Sequence, residues 1–286
     1  YVNVNVNSGG TITHSNNGTE AAGKVDEIDI TVTGNLTVDG TVDADDRGYD
    51  RDEGLGKGTF VSGYGGGAGH GGEGGDAKNT TNYALGSGGD IYGSIDAPTT
   101  LGSGGASEPS GSGGKGGGAI RFSVTGDTDI DGTVSANGGD FTDATNRQPG
   151  GGAGGSVYIT TGGTLTGSGT VAANGGVGDD PAGGGGGGGR IALYYDVDSS
   201  SITITAYGAA APACTVCFGG AGTIYLKDTT GGGTDTLIID NNNLDLTTIV
   251  DDRFMGRTPL TTGSAAFTYD NVTLRNDGNL DLTSGT

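Results

Sequence analysis

The sequence AIRFSVTG at residues 119–126 determines the predicted fold, because a related sequence returns after a fixed interval. It is followed by GTVSANGG at 132–139, and the two parts return as SVYITTG at 156–162 and GTVAANGG at 169–176. Ile120 and Val157 are 37 residues apart, and so are Gly132 and Gly169. A constant offset across two half-motifs indicates stacked repeats, in which one unit alone cannot bury its apolar face.

Further copies of the motif occur on both sides of this pair. Ile191 follows Val157 by 34 residues, and Ile224 follows Ile191 by 33 residues. An early copy begins near Ile28, which precedes Ile120 by 92 residues, so an insertion interrupts the repeat. The spacing predicts one inward-facing apolar row built from equivalent positions. Its expected members are Ile120, Phe122, Val157, Ile159, Ile191, Leu193, Ile224 and Leu226.

The repeated segments predict an all-β protein. They alternate apolar and polar residues and are rich in Val, Ile, Thr and Tyr, whereas glycine interrupts every candidate helix. The regular spacing of 33 to 37 residues favours a right-handed parallel β-helix, a solenoid with glycine-rich loops. A β-sandwich is the alternative, since it also uses alternating strands and glycine turns but needs no fixed period.

Four regions follow from composition. We expect N-terminal strands and first coils in residues 1–44, and an insertion rich in Gly and Asp in residues 45–118. Residues 119–227 carry the solenoid repeats, and residues 228–286 carry coils richer in Leu and Ile.

Glycine makes up 66 of the 286 residues, and its tracts recur just before each repeated strand. The longest tract is the run of seven glycines at residues 183–189. Recurrence at one phase of the repeat favours a structural part, because polyglycine segments approach one another closely. Disordered loops along one edge of the solenoid are the alternative.

The formal charge of −21 limits the partners of this chain. Such a chain repels phosphate backbones and anionic headgroups, so we expect neither nucleic-acid binding nor membrane insertion. No apolar run approaches the ~20 residues that a membrane-spanning helix needs. Divalent cations are the compatible ionic partners.

Two acidic segments are candidate calcium sites, and no other cofactor is expected. The first holds Asp43, Asp45, Asp46, Asp50 and Asp52, at the start of the insertion. In the second, Asp127, Asp129 and Asp131 alternate along a strand, which predicts three carboxylates on one face. Carboxylate oxygens are hard ligands suited to Ca²⁺. A solvated acidic strand face is the alternative to the second site.

Cys214 and Cys217 are the only cysteines. Their spacing matches a redox motif, but no βαβ pattern surrounds them, so we expect a local disulfide that fixes a loop. A free thiol pair is the alternative.

The first seven residues read YVNVNVN, which places Val2, Val4 and Val6 on one face of a strand. This strand is either the first coil of the chain or an assembly element that pairs with the sheet edge of another copy. Because solenoids need capped ends to avoid stacking, the second interpretation predicts a head-to-tail polymer.

The chain resembles the glycine-rich repeat regions of large secreted bacterial surface proteins. The resemblance rests on GGAIRF at 117–122, GTVSANGG at 132–139 and GGGRIALYY at 187–195, and covers roughly residues 26 to 282. It implies an extracellular or cell-surface β-solenoid and no catalytic residues.

These observations predict an extracellular structural protein rather than an enzyme, namely a subunit of a surface filament that assembles through β-strand contacts. An adhesin or carbohydrate-binding β-helix is the alternative, with Tyr49, Tyr64, Tyr83 and Tyr92 of the insertion as its candidate glycan-binding residues. A polysaccharide-degrading enzyme that uses the Asp43–Asp52 carboxylates is the third interpretation.

Overall fold

A computed structural model describes residues 1–78, 85–108, 112–142, 147–214, 216–244, 256–262 and 268–284. Apart from one 3₁₀ turn at Glu20–Ala22, the regular elements of these residues are β-strands. In chain order the strands are β1 (Val4–Val6), β2 (Thr11–Thr13), β3 (Ile28–Val32), β4 (Leu36–Val38), β5 (Thr41–Asp43), β6 (Phe60–Val61), β7 (Tyr64–Gly65), β8 (Ala119–Val124), β9 (Thr128–Ile130), β10 (Thr133–Ser135), β11 (Ser156–Thr161), β12 (Thr164–Thr166), β13 (Thr170–Ala172), β14 (Arg190–Tyr195), β15 (Val197–Asp198), β16 (Thr203–Thr205), β17 (Thr223–Asp228), β18 (Asp235–Asp240), β19 (Thr258–Thr262), β20 (Asn271–Arg275) and β21 (Leu280–Ser284).

Three sheets run along the molecule, and the four coils that begin with β3, β8, β11 and β14 each contribute one strand to each of them. Sheet 1 has the order β1-β4-β9-β12-β15, and sheet 2 has the order β16-β13-β10-β5-β2. Sheet 3 has the order β20-β18-β17-β14-β11-β8-β3. Strands of successive coils pair in parallel, except that β18 pairs antiparallel with β17. This arrangement is the predicted parallel β-helix, and it differs from a sandwich of antiparallel hairpins.

The sequence repeat and the strand register coincide. Val157 pairs with Ile120 across 37 residues, and Ile191 and Ile224 continue the same row. Ile28 pairs with Ile120 across the 92-residue gap, as the early copy predicts. Seven of the eight predicted inward residues are at most 1% exposed, and Leu226 packs against the same core while partly buried. Burying each such side chain stabilises the fold by ~1.5–3 kcal/mol.

Amide side chains stack along one corner of the coils. The Asn137 backbone N–H donates to Asp45 Oδ1, and the Asn174 backbone N–H donates to Asn137 Oδ1. One coil later the Tyr207 backbone N–H donates to Asn174 Oδ1. Each side chain therefore satisfies the backbone of the following coil at a corner where the sheets are interrupted.

The glycine tracts form a second interior beside the solenoid. All seven residues at 183–189 are buried, although none of the seven belongs to a strand. Their backbones bond to other tracts: Gly186 N–H donates to the Gly176 carbonyl, and Gly187 N–H donates to the Ala68 carbonyl. Of the two alternatives for these tracts, the structure therefore shows the packed one. The described part of the 45–118 insertion belongs to this body, instead of projecting as a loop, because its glycines let backbones meet at hydrogen-bonding distance.

In the described residues, no helix is long and apolar enough to cross a bilayer.

Candidate functional site

The strand β1 belongs to the first coil of this chain. Val4 pairs with Leu36, and Val6 pairs with Val38. The three valines do not share one environment, since Val6 is buried at 4% exposure, Val4 packs partly buried against the core, and Val2 is 74% exposed. Within this chain, residues 1–7 therefore contribute a strand to sheet 1, and the β1 edge that faces away from β4 is an outer edge of that sheet. Pairing of this edge with another copy stays a prediction.

The carboxylates of the first acidic segment act mainly as acceptors within the fold. The Asp43 carboxylate accepts the backbone N–H of Asp45. The Asp45 carboxylate in turn accepts the backbone N–H and the side-chain amide N–H of Asn137. Asp52 accepts the backbone N–H and the hydroxyl of Ser107 at 2.7 and 2.6 Å. These bonds hold the segment against the glycine body.

Asp46 and Asp50 line a cleft of about 520 Å³ and differ electrostatically. Burial, together with the charges of Asp45 and Asp140, raises the pKa of Asp46. Burial opposes ionisation of Asp50 as well, yet hydrogen bonds from Lys115 and Asn16 lower the pKa of that carboxyl below its ordinary value. A pair of carboxyl groups whose pKa values shift in opposite directions is typical of acid–base catalysis. Here, however, the Asp50 carboxylate forms an ion pair with Lys115, whose Nζ lies 2.9 Å away.

The second acidic segment connects adjacent coils. Asp127 and Asp131 lie just outside β9, so the three aspartates do not form one continuous strand face. Asp127 accepts the Thr164 N–H, Asp129 accepts the Thr166 hydroxyl, and Asp131 accepts the Ser168 N–H and hydroxyl.

The calcium hypothesis is therefore not supported for either segment. Within the described parts of the chain, no group of three or more His, Cys, Asp or Glu residues could hold a metal ion. The physical reason is that these carboxylates bind different donors instead of converging on a common centre: Asp127, Asp129 and Asp131 accept from N–H and hydroxyl groups one coil away, and Asp50 pairs with Lys115.

The insertion tyrosines do not form the expected exposed cluster. Tyr92 is partly buried, and its hydroxyl contacts the Leu101 carbonyl and the Ser103 hydroxyl. Tyr49 and Tyr64 are also partly buried and lie in separate backbone contacts, and Tyr83 lies outside the described residues. The rings of Tyr49 and Tyr92 lie against Gly54 and Gly56, which keeps both rings partly buried.

Under the insertion lies a buried cationic side chain that the sequence did not indicate. Arg190 is 2% exposed and donates to the Tyr92 carbonyl, the His70 carbonyl and the Thr223 hydroxyl. Burial lowers the pKa of Arg190 to about 10. His70 is fully buried between Gly154 O and Thr100 Oγ1, each at 2.7 Å, and burial and the Arg190 charge lower its pKa to about 3.

An aromatic row crosses the outward face of sheet 3. The rings of Tyr158, Tyr194, Tyr225 and Tyr269 follow one another edge to face, with centroid separations of 5.6, 5.8 and 6.0 Å. Tyr158 and Tyr225 directly follow the inward residues Val157 and Ile224, so alternation along the strand turns them outward. Aligning the repeats by their inward positions would have revealed only Tyr158 and Tyr225 in one column, because Ala192 occupies that column in β14 and Tyr194 lies two residues further on.

Beside this row a cleft of about 520 Å³ opens between residues 91–96 and the C-terminal strands. Its apolar side includes Ile95, Leu260 and Tyr225, which belong to one hydrophobic cluster. Asp96 and Asp235 supply carboxylates at the cleft, where Asp235 accepts the Tyr225 hydroxyl at 3.0 Å and Lys227 Nζ at 3.3 Å. The cleft thus combines aromatic faces with donors and acceptors.

The two cysteines are bonded to each other in the structure. Their Cα atoms lie 5.6 Å apart, and both residues are buried, at 3% and 0% exposure. Cys214, Cys217 and Ala211 form a small apolar cluster. The disulfide agrees with the expected local bond between two cysteines three residues apart.

Comparison with known proteins gives no relative: no protein-family model, no curated protein and no solved structure matches this chain.

Proposed function

We propose that this protein is an extracellular structural protein, a subunit of a surface filament whose copies join through β-strand contacts. The observation that supports it most directly is the identity of the two outer strands of sheet 2. Both β2 and β16 read Thr-Ile-Thr, at residues 11–13 and 203–205.

Inside the sheet the same pattern already pairs in register. Thr41 pairs with Thr11 on one side and Thr133 on the other, and Val42 pairs with Ile12 and Val134. A strand with the β16 sequence, placed against the outer edge of β2, would therefore pair threonine with threonine and isoleucine with isoleucine without a register shift. Main-chain hydrogen bonds supply the affinity of such strand addition, and the alternating side chains supply its specificity.

The chemistry of the chain agrees with an extracellular location. The Cys214–Cys217 disulfide is of a kind that persists in oxidising compartments. The net negative charge opposes non-specific aggregation of a protein with unpaired sheet edges, while strand addition by a matching copy can still occur.

The outer edge of β2 provides a direct test. Thr41 N–H donates to the Gly10 carbonyl, so in a parallel ladder the Ile12 main chain also faces β5, and that of Thr13 faces outward. Thr13→Pro removes the outward donor without removing an internal bond, whereas Thr13→Val keeps it. Sedimentation velocity and electron microscopy should show filaments for the wild type and Thr13→Val and monomers for Thr13→Pro. Monomers from the wild type, or filaments from all three proteins, would contradict the proposal.

A further inference from the structure

The cleft on the outward face of sheet 3 is unusual for a solenoid surface. Outward positions of a β-helix normally face solvent, yet Tyr225 is 6% exposed and Leu237 and Ile239 are fully buried there. Residues 91–96 cover part of this face and leave an opening of about 520 Å³. That volume falls in the range of about 300–1,000 Å³ typical of small-molecule sites.

The charges around the cleft restrict the ligand. Asp96 is exposed at the rim, Asp235 lies near it, and the chain as a whole carries −21, so an anionic ligand is repelled. At the inner end, Arg190 presents a buried positive charge whose three hydrogen bonds go to neutral oxygens, so a cationic group is disfavoured there. An uncharged ligand avoids both conflicts.

The remaining lining specifies a polyhydroxyl compound with one apolar face. Tyr269 lines the cleft, and the half-buried Tyr194 and Tyr158 continue the aromatic surface beyond it. Aromatic rings stack on the C–H face of a sugar, while carboxylates accept its hydroxyl protons and a guanidinium donates to its oxygens. Ser94 and Asp96, which are hydrogen-bonded to each other, stand at the exposed rim.

We propose that this cleft binds a neutral oligosaccharide, with one sugar ring against Tyr269 and the chain continuing along the aromatic row. The proposal is independent of filament assembly, because the cleft lies on the outward face of sheet 3 and the β2 edge lies in sheet 2. A surface protein with this site would attach to an uncharged glycan through its side rather than through its ends.

The experiment measures binding of the full chain by calorimetry and saturation-transfer NMR. The probes are the neutral oligosaccharides cellotetraose, xylotetraose and mannotetraose, with trigalacturonate as an anionic probe and a proline-rich peptide as an alternative occupant. At least one neutral probe should bind, and Tyr269→Ala should weaken that binding by about tenfold, a loss of ~1.4 kcal/mol. Tyr207→Ala removes another half-buried tyrosine outside the cleft and should leave affinity unchanged.

Two further variants keep the test decisive if Tyr269→Ala does not fold. Ser94→Arg adds bulk at an exposed rim position and should block binding, while Ser199→Arg adds the same bulk at an exposed position outside the cleft and should leave affinity unchanged. No binding by any neutral probe would overturn the proposal. Tighter binding of trigalacturonate or of the peptide, or equal losses for Tyr269→Ala and Tyr207→Ala, would overturn it as well.

Discussion

Replacing Gly186 with alanine tests whether the glycine tracts form a close-packed interior. A Cβ at this position would lie 1.9 Å from the Gly152 carbonyl oxygen and 3.1 Å from the Gly176 nitrogen. Ordinary contact begins near 3.4 Å, so the backbone must move by ~1.5 Å, and no flexible side chain can yield instead. That movement disrupts the bonds from Gly186 N–H to Gly176 O and from Gly176 N–H to Gly152 O.

The expected loss follows from these two bonds. Each buried group left without a partner costs ~1–3 kcal/mol, and the lower chain entropy of alanine in the unfolded state returns ~0.4–1 kcal/mol. Counting one such loss for each bond, we expect Gly186→Ala to lower the free energy of unfolding by about 1–6 kcal/mol, measured by urea denaturation with circular dichroism.

Gly231→Ala is the matched control, because no atom lies within 4 Å of the place that its added methyl group would occupy and its backbone is not left-handed. It should leave the stability unchanged or raise it by up to ~1 kcal/mol. Equal stabilities of the two variants would refute close packing of the tracts.

Three other predictions concern the core, the corner stack and the response to pH. Ile191→Asp places a carboxylate at a fully buried position and should lower the melting temperature far more than Val197→Asp, whose site is 50% exposed; similar shifts would contradict the register. Asn174→Ala leaves the Tyr207 N–H without its acceptor and should cost ~1–3 kcal/mol in urea denaturation, whereas Asn174→Asp retains an acceptor and should cost less. Burial raises the pKa of Glu73 to about 7 despite the nearby Arg257, so the folded state holds this proton more tightly than the unfolded state and loses stability as pH rises from about 4.5 through 7. Glu73→Gln should therefore raise the melting temperature at pH 8 and not at pH 4, and a pH-independent effect would argue against this linkage.

The solenoid was predictable because its information is local and periodic. Alternation identifies the inward face of each strand, and the 37-residue offset between Ile120 and Val157 identifies the strand that lies next to it. The same offset predicts the partner of Asp127, since Thr164 lies 37 residues ahead. The calcium hypothesis was based on the spacing of carboxylates within one coil, whereas the hydrogen-bond partner of Asp127 lies in the next coil.

The recurrence of the glycine tracts favoured a packed structural part, but the partners of each tract and the cleft could not be predicted in this way. A glycine carries no side chain that would reveal its neighbours, and Gly186 contacts residues 152, 176 and 219 through backbone atoms alone. The cleft depends on residues 91–96 returning to sheet 3, a contact between distant parts of the chain that no repeat encodes. Likewise, nothing in the sequence distinguishes Arg190 from an exposed residue at the start of a strand, although it is buried.

The two interiors of this protein stabilise it by different means. The solenoid buries Val, Ile and Leu, whereas the glycine body buries peptide groups whose N–H and C=O groups bond to one another. Apolar burial tolerates a change of shape at the cost of a cavity, but hydrogen bonds between adjacent backbones require fixed separations. A chain with 31% hydrophobic residues and no tryptophan thus gains a large ordered volume without large side chains. Because that volume depends on the absence of side chains, substitutions in the tracts should be less tolerated than conservative changes in the apolar core. Glycine-rich segments are usually flexible, whereas here they form the most constrained part of the fold.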